Sequence, residues 1–177
     1  MKRLLLIIFI VSIACSCSEV KVYSNVFNND KHGLTFRYTI NWTKAQPQLE
    51  STLCLLYEHK IHASCNVSFI KAERNKVEKY NEDYMSRIAN KAFNNVNNLN
   101  VKFETLTGRK FSICTFNFEY PKMIDNVSDF IFGKAVIYTT NSNGNRYMMV
   151  YTVPVENYDL LKNEIFTIAN TFVIINR

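Results

Sequence analysis

Asp129-Phe-Ile-Phe-Gly-Lys-Ala-Val-Ile-Tyr-Thr-Thr140, Asn141-Ser-Asn-Gly-Asn145 and Arg146-Tyr-Met-Met-Val-Tyr-Thr-Val153 follow one another without a break and read as two strands around a turn. The flanks are rich in β-branched and aromatic residues, which suit a pleated, half-buried surface. The middle holds Asn, Ser and Gly, which tolerate the positive φ of a tight hairpin. A short turn forces antiparallel pairing, because parallel strands need a crossover of about a dozen residues. Working outward, residues 101–107 and 110–120 read as two more strands, so a run of antiparallel strands occupies this half of the chain.

Helices are expected on either side of that run. Val77, Tyr80, Tyr84, Ile88, Ala92 and Val96 recur at three- and four-residue steps and predict a helix over 77–96, with Asn75 and Glu78 spaced as a capping box. Tyr158, Leu161, Ile165, Ile168 and Phe172 predict a second over 156–171, after which Phe172–Ile175 runs extended. Earlier, 34–40 reads as a strand and 52–58 with 62–70 as a hairpin. The fold class is therefore α+β: an antiparallel β-sheet flanked by two main helices, with no internal repeat and no second domain.

The first residues concern address. Lys2 and Arg3 precede the apolar run Leu4–Val11, which has the length of a secretory segment and is too short to span a bilayer. Small Ala14 then precedes Cys15, whose thiol can be acylated, as in the lipobox of bacterial lipoproteins; Cys17 is the alternative acceptor. The expected organisation is a lipoprotein signal peptide at 1–14, a lipidated N-terminus and tether at 15–30, and one domain at 31–177. Ser16 after the lipidated cysteine is compatible with sorting to the outer membrane. Localisation is expected at the cell envelope, with the membrane as a partner through the anchor.

Hydrophobic residues make up 47% of the chain and aromatics 14%, enough for a folded core. Removing Lys2 and Arg3 with the signal lowers the formal charge from +6 to +4. Remaining charges alternate in sign, as in Lys71-Ala-Glu-Arg-Asn-Lys-Val-Glu-Lys79, the pattern of a solvated face. Without a single-sign basic stripe, no nucleic-acid partner is expected. The run Asn94-Asn-Val-Asn-Asn-Leu-Asn100 reads as codon drift or a polar loop, and the three sequons starting at Asn41, Asn66 and Asn126 as accidental.

No catalytic motif stands out: there is no Gly-x-Ser-x-Gly, no phosphate-cradling loop and no dinucleotide fingerprint among only four glycines. Neither a catalytic residue, a metal site nor a cofactor is expected. His59 and His62 are the nearest to a metal pair, yet a three-residue offset in extended chain sends the rings to opposite faces unless the loop curls. Cys54 and Cys65 are more informative. A hairpin centred on His59-Lys60 sets them opposite each other, which allows a disulfide contributing about 2–3 kcal/mol on the loop-entropy model. The alternative is two buried free thiols. Cys114 is read as a core thiol or a rival partner, and a Cys114–His nucleophile pair lacks a third group to orient the base.

Several pieces in order resemble the PsbP-like family, which includes extrinsic photosystem proteins and DcrB-type bacterial lipoproteins. They are Gly33-Leu-Thr-Phe-Arg-Tyr38-Thr39-Ile-Asn-Trp42, with Thr39 in place of the usual proline; Thr107-Gly108-Arg109 after a helix; Asn143-Gly-Asn-Arg-Tyr147; and the helix end Thr171-Phe172. The resemblance implies a PsbP-like α/β/α sandwich acting as a non-enzymatic binding or assembly module with a protein partner in the envelope. The strands 111–120 and 146–151 are the expected contact surface, and a small-ligand or metal-binding module is the alternative.

Overall fold

The computed structural model describes residues 25–71, 82–124 and 127–175. The strands are β1 (Asn25–Asn29), β2 (Leu34–Tyr38), β3 (Thr43–Ala45), β4 (Thr52–Glu58), β5 (Ala63–Lys71), β6 (Asn94–Leu106), β7 (Arg109–Ile124), β8 (Val127–Ser142), β9 (Asn145–Pro154) and β10 (Val173–Ile174). The helices are α1 (Glu82–Ala92) and α2 (Tyr158–Asn170). Seven strands form one antiparallel sheet in the order β3-β4-β5-β9-β8-β7-β6, and β1, β2 and β10 form a small second sheet.

The β8–β9 hairpin forms as its sequence predicts. Ser142 pairs with Asn145, and the two turn residues Asn143 and Gly144 sit at φ 51° and 70°. Both central residues of a type I′ turn need positive φ, which Asn and Gly accept at least cost. Thr107 and Gly108 turn β6 into β7 in the same way, at φ 50° and 75°.

Alternation along the strands gives the large sheet two apolar faces. One carries Leu56, Cys65, Val67, Phe111, Ile113, Tyr138, Met149 and Tyr151, and is covered by Leu161, Ile165 and Ile168 of α2 and by Phe27, Leu34 and Phe36 of the small sheet. The other carries Cys114, Phe116, Phe118, Ala135 and Ile137 and is covered by Met85 and Ala89 of α1. The sandwich is thus a helix on one face and a helix plus a small sheet on the other. Its strand content exceeds the expected layout.

The first helix departs from expectation. Residues 72–81, including the capping-box pair and Val77 and Tyr80, lie outside the described residues. The helix ends at Ala92, and Val96 belongs to β6. The asparagine run is not a loop: it is a doubly bulged edge strand. On β6 Asn94, Asn97 and Asn100 pair with Glu119, Asn117 and Thr115, three residues against two at each step, with Asn95 and Asn98 at φ 50° and 51°. Asparagine visits the left-handed region readily, so it absorbs the extra residue of each bulge. The bulges change the face period from two to three, which brings Val96, Leu99 and Val101 together against the α1 side. A stripe at three-residue steps looks helical in sequence. Bulges also blunt an edge that would otherwise invite strand pairing.

The β4–β5 hairpin also differs in register. Its loop spans His59–His62, with Glu58 paired to Ala63, so Leu56 faces Cys65 and Cys54 faces Val67. The expected Cys54–Cys65 opposition is replaced by a diagonal offset on the same face. A four-residue loop wins because His62 takes φ 55° and the Glu58 carboxylate accepts a hydrogen bond from the Ile61 amide at 2.8 Å. Cys54, Cys65 and Cys114 are free and buried. Burial pushes the Cys54 thiol up to about 12 and the Cys114 thiol up to about 11, and raises Cys65 further. A thiol-specific chromogen at pH 8 should therefore leave all three unmodified in the native domain and titrate all three after unfolding, since only the thiolate reacts. A native disulfide would show as two missing equivalents in the unfolded titration.

The segment expected as tether ends earlier than residue 30. β1 pairs along its whole length with β2, and Phe27 enters the core beside Phe36 with ring centroids 4.9 Å apart. Asn29 caps the following turn, its side chain accepting from the His32 amide at 3.1 Å.

Candidate functional site

A groove of about 630 Å³ opens at the end of the large sheet, where the β4–β5 turn lies. One wall is Phe118, Tyr120 and Pro121 of β7 with Ile131 of β8; the other is Tyr57, His59 and His62 around the turn. Ser64 and Thr152–Pro154 form the floor, Phe93 the back, and Glu156 and Asn157 the rim. These residues come from five separated stretches of sequence.

Local structure explains the walls. Phe93 follows the last turn of α1 and packs edge-on against Phe116 and Phe118, with centroids at 5.0 and 4.6 Å. Gly133 lies opposite Phe118 on β8, and a Cβ added there would stand 2.5 Å from the Phe118 ring. The glycine is what lets that ring lie across the strand. Pro154 ends β9, since it lacks the amide a continuing ladder needs. On the polar side, the Ser64 and Thr152 hydroxyls share a hydrogen bond of 2.7 Å, and the Asn157 amide donates to the Ile61 carbonyl at 3.4 Å. Burial, then the nearby Glu156 charge, holds the Tyr120 hydroxyl above its usual range and therefore protonated as a donor.

The turn curls, so His59 and His62 both line this groove, where an extended chain would have separated them. His59 stacks on Tyr57 with centroids 6.1 Å apart. Among the described residues no three His, Cys, Asp or Glu side chains stand together as a metal would need. Cys114 lies in the core beneath Phe116, and its raised thiol is the reverse of an activated nucleophile. The arrangement is suited to noncovalent capture: apolar walls with a few polar groups that orient a ligand.

The strands expected as a contact surface are instead core. Phe111, Phe116, Tyr147 and Tyr151 are all buried. Among the described residues the exposed aromatics are Tyr57, Phe103, Phe130, Phe132 and Phe166, which the sequence does not distinguish from core aromatics. The groove was likewise absent from the sequence reading except for His59 and His62, because its walls meet only through strand order. Cys15 lies outside the described residues.

With an antiparallel sheet bearing α1 on one face and α2 plus a small sheet on the other, the fold is PsbP-like. In particular, the chain is similar to the cyanobacterial PsbP protein CyanoP of Synechocystis, at TM-score 0.62 and 16% identity over 90% of this chain and 98% of that one. A Bacteroides thetaiotaomicron protein matches at TM-score 0.55 and 10% identity, covering 88% of this chain and 50% of that one. The Saccharomyces cerevisiae Ran-binding protein Mog1p matches at TM-score 0.54 and 7% identity, covering 86% and 95%. These likenesses concern the fold alone. No family model and no curated protein matches the sequence.

Proposed function

We propose that this chain is a lipid-anchored envelope lipoprotein of the DcrB type, whose PsbP-like domain is a non-catalytic binding or assembly module for a protein partner. The groove carries the reading: a cleft with apolar and aromatic walls, hydroxyls on its floor and a carboxylate and an amide at its rim. The name of Mog1p supports it to the extent that a protein of this fold binds a protein. Acylation of Cys15 is supported by Lys2-Arg3, the apolar run and Ala14. Several acyl chains on one cysteine exceed what stable anchoring requires.

Two experiments test the proposal. In cell fractionation, the Cys15→Ala form should lose acyl label and leave the membrane fraction; retention with the membrane would overturn the anchor. Crosslinking in native envelopes should give one adduct with the anchored form that is lost on Ile131→Arg, which places a charge in the groove wall. An adduct indifferent to that change would overturn the groove as the partner site. His59 and His62 favour a second reading, a small ligand in the same groove. A ligand-induced rise in melting temperature that disappears in His59→Ala/His62→Ala would favour it.

A further inference from the structure

β7 and β8 run on together past the rest of the sheet. The last β9 partner of β8 is Pro154, opposite Gly133, whereas β8 stays paired with β7 as far as Val127. On this arm, which is two-stranded beyond the last β6 pair at Asn94 and Glu119, Phe130 and Phe132 are two residues apart, so they share a face, and each is 57% exposed. It is the face that bears Val136 and Tyr138 farther along β8, the same side on which the small sheet packs.

The start of the described chain lies at that end and on that side. Asn25 pairs with Tyr38, the last residue of β2. From there the chain reaches Thr43, which pairs with Tyr57 beside the β4–β5 turn, at the end of the sheet from which the arm projects. β1 runs away from that end, so Asn25 is the residue of β1 nearest it. Cys15 is ten residues before Asn25. That segment spans at most about 35 Å when fully extended. An acylated Cys15 therefore holds this end of the domain close to the bilayer. Loss of residues 1–14 leaves a net charge of +4, which draws the domain toward anionic headgroups.

Resting on the anchored reading of Cys15, we propose that the β7–β8 arm docks on the bilayer that holds the anchor, Phe130 and Phe132 entering the boundary between headgroups and acyl chains. Docking fixes the orientation of the domain, with the groove beside the membrane surface. It turns a tethered domain into one that presents its cleft at a defined height.

The acylated full-length lipoprotein, reconstituted in phosphatidylethanolamine–phosphatidylglycerol vesicles, is exposed to an apolar carbene photolabel confined to the acyl region. The label should appear on the acylated N-terminal peptide and on the tryptic peptide carrying Phe130 and Phe132. In Phe130→Ser/Phe132→Ser, arm labelling should fall about tenfold or more, while N-terminal labelling and the melting temperature stay as in the parent. Labelling of the N-terminus without the arm overturns docking and leaves the anchor intact. Arm labelling unchanged by the double substitution overturns the role of the two rings. Vesicles that float free of the protein overturn the anchor and the docking together. An arm unlabelled in vesicles but crosslinked to a protein in native envelopes reassigns the surface to that protein and overturns the lipid occupant.

Discussion

Phe172→Ala should lower the free energy of unfolding by about 3–5 kcal/mol, the range for emptying a buried aromatic site. Phe172 is 0% exposed and follows the C-terminal end of α2. Its ring meets Phe36 of the small sheet at 6.1 Å, Phe111 of β7 at 6.2 Å and Tyr147 of β9 at 6.3 Å. Three strands from two layers thus share one side chain, and no single neighbour can move in without uncovering another. The backbone fixes the position: the Phe172 amide donates to the Ala169 carbonyl, and the Phe172 carbonyl accepts from the Thr107 hydroxyl at 3.1 Å. Thr171 before it accepts from the Arg37 amide at 3.1 Å and donates to the Ile168 carbonyl at 3.0 Å. In urea, the midpoint should shift with an unchanged slope. A loss below about 1 kcal/mol would mean that the layers collapse around the gap.

Glu164→Ala is expected to cost about 3 kcal/mol, because it orphans two buried donors at once. Glu164, on the buried side of α2, accepts from the Thr39 hydroxyl and from the Trp42 indole N–H, the latter at 3.0 Å. Thr39 and Trp42 are themselves buried, so water does not replace the carboxylate. Thr39 is the position at which this chain carries threonine where the PsbP-like signature it resembles has proline. The hydroxyl has a use here that proline lacks, and Thr39→Pro should destabilise the domain for that reason. A double-mutant cycle with Thr39→Val and Glu164→Gln isolates the contact. Coupling indistinguishable from zero would refute this account of Thr39.

Much of the local structure was legible because local signals agree. Asn143-Gly144 demands a two-residue hairpin, and the apolar stripe of Leu161, Ile165 and Ile168 has one face to bury. Glu164 was not legible: a carboxylate inside that stripe reads as solvent-facing until Thr39 and Trp42 arrive from more than a hundred residues away. Val96 misled for a different reason. A strand with two bulges repeats every three residues, and a helix does nearly the same, so periodicity alone does not separate them. Cys54 and Cys65 show the limit of register prediction. One turn hydrogen bond from the Ile61 amide to Glu58 lengthens the loop and slides the two strands, so that the thiols no longer oppose each other.

By itself the sequence determined the class of fold, the α2 stripe and the late hairpin, since each follows from residues within one or two turns of each other. Only the tertiary structure decided which strands are neighbours, which phenylalanines are core and which are exposed on the arm, and that five distant stretches close a groove. Those outcomes depend on long-range pairing, where a shift of one residue exchanges the buried and the exposed faces of a strand.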